Sequence, residues 1–141
     1  MKRSFLALSA FLLLSSCGTS AKAVKQGAPS LEGIRWVLVE LEGQPVARED
    51  MGNKEAYFLL KEGKVMGCGG CNNFGGSYEL RKGMRISFSQ MFSTMMACPR
   101  MDVEGRLLAV LKKADNYTVA DGILSLNRAR MASLARFKAA E

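Results

Sequence analysis

The chain has 141 residues, with 20 Lys and Arg against 13 Asp and Glu, and a formal charge of +7. It contains no histidine. That excludes Ser-His-Asp and Cys-His nucleophilic catalysis and the usual histidine-bearing zinc sites, and it removes the one side chain that titrates near neutral pH unperturbed.

The N-terminus opens with Lys2 and Arg3, followed by an apolar run from Phe5 to Leu14 that is too short to span a bilayer. Leu14-Ser15-Ser16-Cys17 looks like a lipobox, so residues 1–16 read as a bacterial lipoprotein signal and Cys17 as the lipidated residue. Cleavage there leaves 125 of the 141 residues, enough for one domain with a real core. Gly18 after the cysteine favours the outer membrane, facing the periplasm, by resemblance to enteric sorting rules. That compartment is oxidising, so Cys68, Cys71 and Cys98 can pair. Residues 17–33 then form a lipidated N-terminus and a flexible tether, and 34–139 the folded domain.

Without Lys2 and Arg3 the charge is +5, and the excess sits late: residues 81–141 carry eleven basic against five acidic side chains. Such a surface suits acidic lipid headgroups or an acidic partner, but reads more simply as a solvated face. Nucleic acid is not an expected partner beyond the inner membrane.

Ile34–Leu41 and Ala56–Leu60 are rich in β-branched and aromatic residues and read as strands. Glu62-Gly63 turns into a strand at Lys64–Met66, and extended structure resumes from Gly76 to Leu80. Met84–Ser89 alternates apolar and polar, as a half-buried strand should. From Met101 to Ala114 the period changes. Val103, Leu107, Val110, Leu111 and Ala114 fall on one helical face, with acids early and lysines late. Tyr117–Ala120, Asp121-Gly122 and Ile123–Leu126 predict a hairpin, and Met131–Phe137 a last strand. The sum is an α+β domain of seven or eight short strands in a mostly antiparallel sheet, with one helix. Glu49-Asp50 and Asp102/Glu104 read as loop and helix-start charges, so no enzyme is expected.

The stretch GCGGCNNFGGSYEL, residues 67–80, has four readings. A phosphate loop fails, because no lysine and no helix follow the glycines. A redox dithiol has its spacing in Cys68 and Cys71, but not the helix N-terminus that activates one. A soft-metal site could draw on Met91, Met95, Met96 and Met101 in SQMFSTMMACPRM. These methionines read more simply as fillers of irregular core space, so no metal is expected. A staple from Cys71 to Cys98 would close a 27-residue loop.

GGCNNFGGSY, followed by STMMAC and a helix, resembles the META domain family, the HslJ-like proteins. The matching residues are Gly70, Cys71 and Asn72; Gly76 and Tyr78; Thr94, Met96, Ala97 and Cys98; Glu104; and Leu124 with Leu126. The resemblance implies a strongly twisted antiparallel sheet, partly closed as a barrel, with a packed helix. It implies a Cys71–Cys98 disulfide, Gly70 and Gly76 as backbone devices, and Asn72 as a turn former or backbone hydrogen-bonder. Cys68 departs from the pattern and competes for a partner. The family is linked to heat shock and envelope stress, with no catalytic residue and no cofactor. The expected role is interaction or assembly with an envelope protein. The alternatives are a carrier holding a lipid or other apolar ligand inside the barrel, and a thiol oxidoreductase using Cys68 and Cys71. Trp36 and Tyr78 read as core.

Overall fold

The computed structural model describes residues 30–51, 54–99 and 101–140. The signal sequence, the Leu14–Cys17 lipobox and residues 17–29 of the tether lie outside them. The strands are β1 (Arg35–Leu41), β2 (Gln44–Pro45), β3 (Tyr57–Lys61), β4 (Lys64–Cys68), β5 (Asn73–Arg81), β6 (Arg85–Ser93), β7 (Asn116–Ala120), β8 (Ile123–Asn127) and β9 (Ala135–Ala139). The helix α1 (Asp102–Lys113) lies between β6 and β7 in sequence.

Tight turns make successive strands antiparallel, and β9 returns to pair with β1, from Trp36↔Ala139 to Leu41↔Ala135. Eight strands thus close a barrel, with β2 folded back on the end of β1. The seam between β6 and β7 is a single register pair, Arg85↔Asn116, and α1 packs against β6 and β1. The expected antiparallel barrel with one helix is what forms, and the β1–β9 ladder completes its closure. Asp121 and Gly122 both take positive φ, 51° and 73°, as the predicted two-residue turn requires.

The interior is filled by side chains. Trp36, Phe58, Phe137, Leu38, Leu60 and Leu124 are fully buried, and Phe58 meets Phe137 edge to face at 4.8 Å between ring centroids. The predicted helical face is the one buried, through Val103, Leu107, Val110 and Leu111.

Several sequence expectations about the fold need correction. The last strand begins at Ala135, because Arg128–Ser133 forms a loop. Asp115 Oδ1 accepts from Ala129 N at 2.9 Å, and Asn116 Nδ2 donates to Ala129 O at 2.9 Å. The Met84–Ser89 strand runs on to Ser93, because Gln90 takes a positive φ of 51° near the register shift opposite Gly75 and Ser77, which breaks the alternation. Residues 30–33, read as the end of the tether, pack on the domain. Leu31 is buried, its carbonyl accepts from Trp36 Nε1 at 3.0 Å, and Glu32 bridges to Leu60. Of the methionines read as core fillers, only Met91 packs against the core, while Met95, Met96 and Met101 face water.

Tyr78 closes this N-terminal contact from the other side. Its ring is buried and its hydroxyl donates to Glu32 Oε1. Burial first, and then Glu32, pushes its pKa up from 10 to about 12. A hydroxyl that ionises later in the folded state than in the unfolded state keeps its proton preferentially in the fold. Stability should therefore decline as pH rises through the window from 10 to 12. Denaturant midpoints measured across that window should fall more steeply for the parent chain than for Tyr78→Phe. Parallel curves would remove Tyr78 as the cause.

Candidate functional site

Residues 94–99 leave the sheet after β6 on the way to α1. Side chains hold part of their backbone, and most of the motif residues meet here. Asn72 is buried in the turn between β4 and β5. Its side-chain oxygen accepts from Met96 N at 2.7 Å and from the Thr94 hydroxyl at 2.8 Å. Its side-chain nitrogen donates to Met96 O at 3.0 Å and to Glu104 Oε1 at 2.9 Å. All four hydrogen-bonding positions of the amide are used. Its backbone N–H donates to Glu104 Oε2 at 2.7 Å. Thr94 Oγ1 also accepts from Asn73 N at 3.2 Å.

Glu104 corrects the sequence reading most sharply. It is a buried group from the first turn of α1, not a solvated helix-start charge. Both of its oxygens accept from Asn72, so helix, turn and crossover are tied through one side chain.

Beside this network the structure joins Cys71 to Cys98, with Cα atoms 6.1 Å apart. Cys68 is left as a buried thiol, so no Cys68–Cys71 pair is formed. Gly70 sits at φ 109°, a backbone conformation that L side chains rarely adopt, and its carbonyl accepts from Lys54 N at 2.9 Å. A Cβ on Gly76 would lie 2.8 Å from the Ser89 carbonyl oxygen, so the sheet closes there only around a glycine. Gly69 was not singled out from the sequence. A Cβ there would overlap the Glu104 side chain, and the only signal for it was the glycine run itself.

Thr94, Met96, Cys98, Asn72, Cys71 and Glu104 thus come together, and Ala97 lines a surface groove with Asn72, Thr94, Met96 and Glu104. Gly76, Tyr78, Leu124 and Leu126 serve the barrel elsewhere. Among the described residues no group of three His, Cys, Asp or Glu side chains could hold a metal ion.

Fold and site together define a small closed antiparallel barrel whose crossover is clamped to a helix by an Asn–Glu pair. The META domain family matches residues 29–141, and the chain belongs to that family. Among solved structures, the chain is similar to a protein from Burkholderia xenovorans studied by NMR, at 25% identity and a TM-score of 0.62. That match covers 78% of this chain and 83% of the other. A DUF4847 family protein from Bacteroides vulgatus shares the fold at 14% identity and a TM-score of 0.55, over 77% of this chain and 93% of the other. The chain matches none of the curated proteins.

Proposed function

We propose that this META-domain protein is a lipid-anchored, non-enzymatic component of the cell envelope that acts by binding a protein partner, in a stress-related role. The lipobox at Cys17 supports the anchor, and the family resemblance supports the stress setting. One observation carries the binding role. Across the outer face of β4, β5 and β6, Met66, Gly75 and Phe92 fall in register, and Phe92 is 68% exposed. Its ring lies over Gly75, where a Cβ would come within 2.6 Å of it. The row lines a groove of about 360 Å³ with Lys64 and Gln90 at its edge. An apolar row left in water on a barrel with a filled interior fits an apolar segment of another protein. The packed interior favours such surface docking over an apolar ligand held inside.

A photoreactive phenylalanine analogue tests this in cells. At position 92 it should give one discrete adduct with an envelope protein, lost in Met66→Lys. At Met131, equally exposed at 68%, it should give none. Adducts spread equally over both positions, or none at 92, would defeat the reading.

A further inference from the structure

The methionines of the crossover stand outside the hydrophobic core. Met95 is 97% exposed, Met96 50% and Met101 39%, and all three line one groove of about 350 Å³. Methionine usually fills gaps in a core, yet here three thioethers are held out in water within a seven-residue stretch. Part of the backbone that carries them is held by side chains. Met96 is pinned by Asn72 at both its N–H and its C=O, and Cys98 is joined to Cys71. Met101 stands at the start of α1, with its sulfur 3.4 Å from Cys98 N. The three methionines line the groove beside this held segment.

We propose that Met95, Met96 and Met101 form a binding site for a soft monovalent cation of the Cu(I) class. Neutral thioethers select such ions over zinc, calcium or magnesium, which prefer nitrogen and oxygen donors. Charge agrees with this choice. Glu104 lines the floor of the same groove, and both its oxygens accept from neutral N–H groups of Asn72. Glu104 forms no ion pair among the described residues. An acidic side chain lining a groove with three uncharged thioethers suits a single positive charge. The site needs no proton release, because a thioether carries none. The Asn72–Glu104 pair and the Cys71–Cys98 link then act as positioning groups that hold the sulfur-bearing backbone in place before the ion arrives.

The test uses the full chain with carbon-13 in its methionine methyl groups. Silver(I) serves as a redox-inert probe, and Cu(I) follows without oxygen against a competing Cu(I) chelator. The methyl signals of Met95, Met96 and Met101 should shift together and saturate at a single equivalent. Met66, Met84 and Met131, each at least half exposed, are internal controls and should not move. Leucine at position 95 or 101 keeps size and apolarity but removes sulfur, and each should weaken binding by about tenfold or more. The triple leucine variant should not bind, while Cys68→Ala should bind as the parent does. Shifts spread over every exposed methionine in proportion to exposure would overturn the proposal. So would no shift at all, binding that survives the triple variant, or binding lost with Cys68. The parent titration decides the matter even if a variant does not fold.

Discussion

Asn72→Asp should destabilise the fold by about 3–5 kcal/mol near neutral pH, as unfolding in urea would read it. The change swaps one atom group for another of nearly the same shape, so packing does not explain the loss. The retained oxygen still accepts from Met96 N and Thr94 Oγ1. The new oxygen stands where the nitrogen stood, 2.9 Å from Glu104 Oε1 and 3.0 Å from Met96 O, with no hydrogen between. Two favourable contacts become two repulsions, one of them between carboxylates in a buried site. Like charges so close favour uptake of one proton by the pair in the fold. A group that binds its proton more tightly folded than unfolded gains stability as pH falls. The deficit should therefore shrink from about pH 8 to about pH 5, because the proton restores one donor. Thr94→Val, at the exposed rim of the same network, should cost only about 1 kcal/mol. Equal losses for both variants, or a pH-independent deficit in Asn72→Asp, would mean that the Asn72–Glu104 contact is not what holds the crossover.

The parts of this molecule governed by local periodicity were legible in the sequence. The helix face of Val103, Leu107, Val110 and Leu111, the Asp121-Gly122 turn and the alternation from Met84 each follow from neighbours a few residues apart. The parts that depend on distant partners were not. A glutamate in the first helical turn reads as solvated because the dipole favours it there. Its burial is decided by Asn72, 32 residues earlier. Leu31 reads as tether because nothing adjacent marks it, and it is buried where Trp36 Nε1 donates to its carbonyl and Glu32 bridges to Leu60. The methionine run reads as core by composition. A bulge at Gln90 and an exit from the sheet turn most of it outward. The motif residues around Asn72 could be named from resemblance, but their convergence on one carboxylate could not.

Replacing Cys71 and Cys98 together by alanine should cost about 3–4 kcal/mol, the chain-entropy value for a loop of this length. The loop spans 27 residues and takes in β5, β6 and the start of the crossover. Peptide mass spectrometry of the oxidised chain should find Cys71 linked to Cys98, with Cys68 alkylated only after unfolding, since its thiol is buried. A Cys68–Cys71 link would instead favour thiol chemistry at the turn. The more informative result is the coupling with Asn72. The disulfide and the Asn72 amide clamp the same backbone, from Thr94 to Cys98, onto the same turn. If the covalent link keeps the segment close enough for the amide to bind it, then removing the link lets the segment move away. Asn72→Ala should then cost about 1 kcal/mol less in the disulfide-free chain than in the oxidised parent. Strict additivity would mean that the Asn72–Glu104 network holds the crossover unaided. The disulfide would then act on the unfolded chain alone, and the sulfur-bearing segment would keep its shape under reducing conditions.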